Sequence, residues 1–233
     1  MPGRLTSEGT PEAVWLAAGW PSGLPAVSLG DLCPRGRAVV LAPHPDDEVL
    51  GCGGALAALA AAGRPIVVVA VTDGEASHPE GERDLRPIRA AERTEAFRRL
   101  GVDPDVVRLR ISDGGVDEDE VVRAVEPLLN QGDVLFAPWA CDGHPDHEAV
   151  ARAASRLPAD RIGYFVWAWH WAKPDDLPKE SCSRFRLDAG LLARKRHAVQ
   201  AFTSQLAGPD PILGPGTLAH LLRPDEVYLR GVR

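Results

Sequence analysis

Short runs of apolar, β-branched residues alternate with helical segments along the chain, and this alternation restricts the fold more than any other feature. The apolar runs predict strands at 37–43, 65–73, 106–111, 133–139, 161–169 and 226–230. Helical periodicity and end signals predict helices at 48–63, 87–100, 117–131, 147–157 and 189–202. Strands that alternate with helices form βαβ units, so we predict an α/β fold with a mainly parallel sheet flanked by helices.

The length and composition indicate one domain of an ordinary globular protein. The 233 residues are 45% hydrophobic and 25% charged, and no repeat or linker divides them. We therefore expect a single domain over 37–233, with residues 1–36 as an N-terminal extension packed on it. The formal net charge of -7 argues against a nucleic-acid partner, and the longest apolar run, 55–62, is too short to cross a membrane.

The cysteines and the first residues bear on the cellular compartment. Cys33, Cys52, Cys141 and Cys182 are far apart and form no C-x-x-C pair, which disfavours a cysteine-based zinc site. Free thiols suit a reducing compartment. The first residues carry no apolar stretch of the kind found in signal peptides, so we expect a cytoplasmic protein.

Two predicted strands, 37–43 and 133–139, lead into dense polar clusters. The clusters contain His44, Asp46 and Asp47 after the first of these strands, and His144, Asp146 and His147 after the second. Open parallel sheets bind ligands at the carboxyl ends of their strands, so the two clusters are expected to meet there. Each cluster alone could be a helix cap. Together, without a cation, they would gather desolvated like charges, so we predict a metal site.

The ligand types fit a catalytic zinc ion. Such an ion takes three ligands from histidine and carboxylate and keeps one position open for water. A His-x-x-Asp segment after a strand supplies two ligands, and one histidine at a helix start supplies the third. One zinc ion per chain is expected, although two histidines and an aspartate would also accept Fe2+, Co2+ or Mn2+.

Both clusters resemble known motifs. The sequence PHPDDE at 43–48, followed by GCGG at 51–54, resembles the signature of the PIG-L/LmbE family of zinc deacetylases, and HPDH at 144–147 resembles its second motif. Weaker similarities extend the resemblance to about 39–205. The resemblance implies a Rossmann-like sheet and removal of the acetyl group from N-acetylglucosamine conjugates. The tyrosine of the mycothiol enzymes is missing at 141–143, which puts mycothiol-type specificity in doubt.

The resemblance also implies a role for each motif residue. It gives His44, Asp47 and His147 as metal ligands, Asp46 as the general base, His144 as the catalytic histidine and Asp146 as its acidic partner. Zinc acidifies its bound water and polarises an amide carbonyl, and the base takes the proton of that water. A protonated His144 would stabilise the oxyanion, with Asp146 holding its imidazole charged and oriented.

Several residues are candidates for substrate binding. Arg89 and Glu75 could hold a sugar hydroxyl or a phosphate, although charged side chains on helices and loops are more often solvated. The aromatic segment 167–171 offers Trp169 and His170 to the site, but alternating aromatic residues in a strand equally indicate core packing. Loops 74–86, 111–116 and 170–183 are expected to set specificity.

The expected function is zinc-dependent deacetylation of a small acylated amine, either an N-acetylated amino sugar or a glycosylated metabolite. No nucleic-acid or membrane partner is expected, and homo-oligomerisation is left open. The alternatives are an amidase acting on a larger acyl group or a thiol conjugate, and a metal-binding domain without hydrolytic activity. Intact Asp46 and His144 disfavour the second alternative, because a structural zinc site needs neither. GCGG at 51–54 lacks the spacing of a dinucleotide-binding loop, which disfavours an oxidoreductase.

Overall fold

A computed structural model describes residues 9–78, 84–209 and 211–230. Residues 1–8 of the predicted N-terminal extension and 79–83 of the predicted loop lie outside these ranges. Among the described residues, no helix has the length and apolar character needed to cross a membrane.

One sheet of seven strands forms the centre of the described chain. The strands are β1 (Ala38–Ala42), β2 (Ile66–Thr72), β3 (Asp105–Ile111), β4 (Val134–Pro138), β5 (Asp160–Tyr164), β6 (Cys182–Arg186) and β7 (Asp225–Arg230). Their order across the sheet is β3-β2-β1-β4-β5-β7-β6. Strands β1 to β5 pair in parallel, and β7 pairs antiparallel with both β5 and β6. The predicted mainly parallel sheet is confirmed.

Helices cover both faces of the sheet. They are α1 (Glu12–Ala17), α2 (Leu29–Leu32), α3 (Asp47–Ala61), α4 (Leu85–Leu100), α5 (Glu118–Val125), α6 (Pro145–Arg156), α7 (Ala168–Trp171), α8 (Ala189–Val199), α9 (Thr203–Leu206) and α10 (Pro215–Leu221). Every residue of β1, β2 and β4 is buried, as expected for strands with helices on both sides. Val40 of β1 packs in one core cluster with Leu56 of α3, and Leu41 packs in the other with Val150 of α6.

The strand order places a crevice between β1 and β4. From β1 the chain continues outward to β2 and β3, and from β4 it continues in the opposite direction to β5. Ligands of open α/β sheets bind at such a switch point, beyond the carboxyl ends of the two strands. Both polar clusters leave the sheet at this point, because one follows β1 and the other follows β4.

The predicted strand at 161–169 is wrong in its second half, because β5 ends at Tyr164 and helix α7 begins at Ala168. The ladder with β7 stops at the pair of Tyr164 and Tyr228. Beyond it, the backbone N–H groups of Val166, Trp167 and Ala168 donate to the side chain of Asp142 instead of to a strand. The apolar run therefore leaves the sheet because a distant carboxylate satisfies its donors.

The N-terminal segment contacts the rest of the chain through an aromatic cluster. Trp15 of α1 is fully buried, and its ring centroid lies 5.9 Å from Trp20 and 5.0 Å from Trp169. The guanidinium of Arg223 lies 4.5 Å from the centroid of the Trp169 ring. The division of the chain into an extension and a domain stays a prediction.

Candidate metal centre and active site

Two loops at the carboxyl edge of the sheet carry the clustered side chains. After β1, Pro43 to Asp46 form a short turn and α3 begins at Asp47. After β4, the chain turns through Asp142, and α6 begins with His144 as its N-cap. The first loop and the second are therefore brought together by the pairing of β1 with β4.

Three side chains form a nearly equilateral triangle of donor atoms. His44 Nδ1 lies 3.3 Å from His147 Nε2 and 3.3 Å from the Asp47 carboxylate, and His147 Nε2 lies 3.2 Å from that carboxylate. All three residues are buried. A tetrahedral zinc site with bonds of about 2.0 Å has ligand atoms about 3.3 Å apart, so this donor set fits a zinc ion in both chemistry and spacing.

The charges around the triangle also suit a cation. Burial lowers the pKa of His147, but the charges of Asp47 and Asp142 outweigh it and raise that pKa to about 9. The pKa of His44 is raised well above its usual value against its burial, because its ring contacts three carboxylates. In the metal-free protein, the protons on His44 and His147 therefore balance the charge of the neighbouring carboxylates. A divalent cation bound between these side chains would balance the same charge.

Other donors lie close to the triangle. Among the described residues, His44, His144 and His147 form one group with donor atoms within 4.8 Å of one another, and His44, Asp113 and Asp146 form a second. The second group uses the other ring nitrogen of His44, whose Nε2 lies 3.1 Å from Asp113 Oδ1 and 3.2 Å from Asp146 Oδ2. The two carboxylates thus hold the imidazole from the side opposite to the triangle.

The contacts of Asp146 contradict its predicted pairing with His144. Its carboxylate accepts hydrogen bonds from the backbone N–H groups of Gly114 and Val116 and lies against His44, not His144. Burial opposes its ionisation, but the hydrogen bonds from His44 and Gly114 outweigh that and lower the pKa of Asp146 to about 2. His144 is bonded to the backbone of Asp146 instead of to its carboxylate, because His144 Nδ1 accepts from the Asp146 N–H at 3.2 Å.

His144 faces the triangle of His44, Asp47 and His147 as a neutral imidazole in the metal-free protein. Its ring centroid lies 4.7 Å from that of His44 and 5.1 Å from that of His147. Burial and the charges of those two histidines lower the pKa of His144 to about 4. Because Nδ1 accepts a hydrogen bond, the ring proton is assigned to Nε2. In the metal-free protein the imidazole is therefore a neutral donor, whereas the sequence suggested a protonated one.

Asp46 is held by Arg89. One carboxylate oxygen of Asp46 accepts from Arg89 Nη2 at 3.0 Å, and it caps no N–H group of α3. Burial raises the pKa of Asp46 to about 6, which the charge of Arg89 opposes and that of Asp47 reinforces. Arg89 also donates to the carbonyls of Gly74 and Pro45. The side chain of Arg89 is buried against Asp46, and its predicted contact with substrate stays a prediction.

The remaining substrate candidates are also differently placed. Glu75 accepts from the backbone N–H of Asp113 at 3.2 Å, so it orders the loop after β3. Trp169 is 5% exposed within the aromatic cluster of Trp15 and Trp20, and His170 is 6% exposed. Both are buried, and Trp169 lies in the hydrophobic core, which is the packing alternative that the alternation of aromatic residues left open.

Two carboxylates that the sequence did not single out contact the proposed ligands. Asp113 contacts His44, and Asp142 Oδ2 lies 2.8 Å from His147 Nδ1. Their positions in the sequence could have indicated a place in the site, because Asp113 follows β3 and Asp142 follows β4 at the same edge of the sheet. Aspartate is so common in turns that this position alone did not separate them from caps.

Known proteins resemble this chain in sequence and fold. A 2'-N-acetylparomamine deacetylase of Streptomyces fradiae is 31% identical over 167 residues, which cover 60% of this chain and 57% of that protein. A 1D-myo-inositol 2-acetamido-2-deoxy-alpha-D-glucopyranoside deacetylase of Mycobacteroides abscessus is 29% identical over 165 residues, covering 56% and 59%. The matches thus span less than two thirds of either relative.

The fold comparison reaches further along the chain. The N,N'-diacetylchitobiose deacetylase from Pyrococcus horikoshii superposes with a TM-score of 0.65 at 20% identity, covering 93% of this chain and 89% of that one. At this identity the likeness shows the fold alone. The sequence model of the GlcNAc-PI de-N-acetylase family, PIG-L, matches residues 39–157, which are more than half of the chain and include both histidine motifs. The chain therefore belongs to the PIG-L family.

Proposed function

We propose that this protein is a zinc-dependent N-deacetylase that acts on an N-acetylated amino-sugar conjugate. The observation that carries the proposal is the triangle of His44, Asp47 and His147, whose atoms lie 3.2–3.3 Å apart beside the buried carboxylate of Asp46. The names of the relatives support the substrate class, since each removes an acetyl group from an amino-sugar compound.

In this proposal, His44, Asp47 and His147 hold the metal. A zinc ion bound there would supply Lewis-acid chemistry, lowering the pKa of water and polarising the acetyl carbonyl. Asp46 takes the proton of the attacking water and passes it to the departing amine. With a pKa of about 6, most Asp46 side chains are ionised near neutral pH and can accept a proton. Because this pKa is also close to neutral pH, the protonated carboxyl group can return the proton to the amine.

His144 stabilises the developing oxyanion through a neutral N–H group. Its Nδ1 is committed to the backbone N–H of Asp146, so Nε2 is the donor that remains for substrate. A neutral donor has one advantage beside a bound cation, because it adds no positive charge to that of the metal. This assignment replaces the protonated histidine expected from the sequence.

Trp171 replaces Trp169 as the aromatic residue that we assign to sugar contact. Its side chain is 42% exposed, and its indole N–H donates to the carbonyl of Asp142 at 2.8 Å. The ring covers Gly143, where an added Cβ would lie 2.2 Å from Trp171 Nε1. A fixed, partly exposed ring next to the His144 loop suits stacking on the apolar face of a sugar.

The proposal is tested by an isosteric change at the base. Asp46→Asn should retain stoichiometric zinc and lose at least about 100-fold in kcat, because the amide cannot accept the proton of water. Free amine is measured over N-acetylglucosamine glycosides, other acetylated amines and amides with longer acyl chains. Full turnover by the variant would refute the base assignment, and preference for a longer acyl group would favour the amidase alternative.

A further inference from the structure

Asp142 lies at the carboxyl edge of the sheet, and both of its carboxylate oxygens are fully engaged by hydrogen bonds. It is fully buried, and its two oxygens accept four hydrogen bonds. Oδ1 accepts from the backbone N–H groups of Val166 and Ala168 at 3.0 and 3.1 Å. Oδ2 accepts from the N–H of Trp167 at 3.0 Å and from His147 Nδ1 at 2.8 Å.

The three backbone donors fix the carboxylate independently of the histidine. They come from the segment that leaves β5 and begins α7, and the Trp171 side chain at the end of α7 returns to the Asp142 carbonyl. A carboxylate anchored in this way offers His147 an acceptor at one place and in one direction. His147 must therefore carry its proton on Nδ1 to complete the set.

We propose that Asp142 is a positioning residue that selects the metal-binding tautomer of His147. With the proton on Nδ1, the lone pair of Nε2 points to the side of the ring where Asp47 and His44 Nδ1 lie, at 3.2 and 3.3 Å. Acceptors that bind the second nitrogen of a metal-ligating histidine fix its tautomer and orientation. This inference rests on the metal site of the proposed function but not on its substrate.

Replacing Asp142 with asparagine is expected to change the tautomer of His147, because asparagine offers fewer hydrogen-bond acceptors. An amide has one oxygen and one NH2 group, so only one of the two pairs of donors keeps its acceptor. The oxygen stays where two backbone N–H groups converge, near Val166 and Ala168. The NH2 group then faces His147 Nδ1, which must accept a hydrogen bond and place the proton on Nε2, where it blocks the metal.

Asp133 provides a matched control. It is 3% exposed and also accepts four hydrogen bonds, from the backbone N–H groups of Arg37 and Asn130 and from two guanidinium N–H groups of Arg37. It precedes β4, whereas Asp142 follows it, so the two carboxylates lie beyond opposite ends of one strand. Asp133→Asn therefore reproduces the loss of a buried acceptor without reaching the metal site.

The test compares zinc affinity in the full-length variants by competition with a chromophoric chelator. Asp142→Asn should bind zinc about 10- to 100-fold more weakly than the unmodified protein, and Asp133→Asn should bind it with unchanged affinity. Unchanged affinity in Asp142→Asn would overturn the proposal. An equal loss in both variants would also overturn it, because the effect would then be one of general destabilisation.

A second measurement does not require the variant to fold. Long-range nitrogen–proton correlation spectra of the zinc-loaded, histidine-labelled protein report which nitrogen of His147 carries the proton. Protonated Nδ1 is expected, and metal-bound Nδ1 would overturn the proposal. Both measurements read metal binding, so a protein that binds zinc as described and yet releases no amine would contradict the proposed function and still support the role of Asp142.

Discussion

The pair formed by Arg89 and Asp46 allows a quantitative prediction about the proposed base. The two side chains are 3% and 7% exposed, and Arg89 Nη2 lies 3.0 Å from Asp46 Oδ2. A cation this close lowers the pKa of a carboxyl group by about 1–3 units. Arg89→Met removes that cation and leaves Asp46 buried, so its pKa should rise from about 6 by the same amount.

The size of the effect on rate follows from the ionised fraction of Asp46. A pKa that rises by about 1–3 units reduces the ionised carboxylate near neutral pH from about nine tenths to between about a half and a hundredth. Without a metal charge this would lower kcat/KM about 2- to 100-fold near neutral pH and leave it unchanged at alkaline pH. A bound zinc ion lowers the pKa of Asp46 in both proteins, so in the zinc-loaded enzyme the same separation of about 1–3 pH units is expected between two acidic limbs at lower pH.

The assay is the pH profile of kcat/KM for amine release, measured below the melting temperature of the variant. The acidic limb should move to higher pH in Arg89→Met. Arg86→Met is the matched control, because Arg86 lies on the same helix but pairs with the exposed Asp84. An acidic limb that does not move in Arg89→Met, with the rate lowered equally at every pH, would show that Arg89 does not set the pKa of Asp46.

Three further predictions concern stability and substrate contact. In metal-free protein, neighbouring aspartates outweigh burial and raise the pKa of His147 from 6.5 to about 9, so the stabilisation is complete below pH 6.5 and lost as the pH rises through about 9. The melting temperature after chelation should fall over this range, and a rise would contradict the assignment. Lys195→Met removes the cation that pairs with the buried carboxylate of Glu226, whose Oε1 lies 2.7 Å from Lys195 Nζ. Urea denaturation should show a loss of about 3–5 kcal/mol, whereas a loss like that of exposed Lys173→Met would exclude this pair as a stabilising one. Trp171→Ala should raise KM for amino-sugar substrates about 3- to 10-fold and leave KM for acetylated alkylamines unchanged; equal effects would exclude stacking.

The central sheet and the ligand cluster could be predicted because their signals are local. Strands β1, β2 and β4 are buried on both faces, so they appear in the sequence as unbroken apolar runs. The parallel arrangement then brings the ends of β1 and β4 together, and with them His44, Asp47 and His147. A zinc site needs histidine and carboxylate side chains at that edge of the sheet. Both residue types are visible in the sequence directly after the two strands.

The contacts between the loops could not be predicted, because they depend on tertiary geometry. The register between β2 and β3 shifts after Ala70, and Arg110 adopts the left-handed region with φ 56° just before the loop that carries Asp113. Nothing in that turn sequence tells Asp113 from an ordinary turn aspartate. Arg89 likewise looks like a solvated helix residue until the fold sets it against Asp46.

The same limit applies to the aromatic segment and to Asp146. The run that ends in Trp169 has the composition of a strand, and only the buried carboxylate of Asp142 draws its backbone into α7. Asp146 stands two residues after His144, yet the start of α6 turns its carboxylate toward His44 and the Gly114 N–H. The partner that the resemblance implied for Asp146 therefore differs from the one that the start of α6 places against its carboxylate.

We propose that the two histidine motifs hold one zinc ion that is required for amine release. The most direct test strips the protein of metal and measures amine release from an N-acetylglucosamine glycoside as zinc is returned in known amounts. We expect no turnover in the stripped protein and full turnover at one zinc ion per chain. Undiminished turnover without metal, or none from any acylated amine in the reloaded protein, would contradict it.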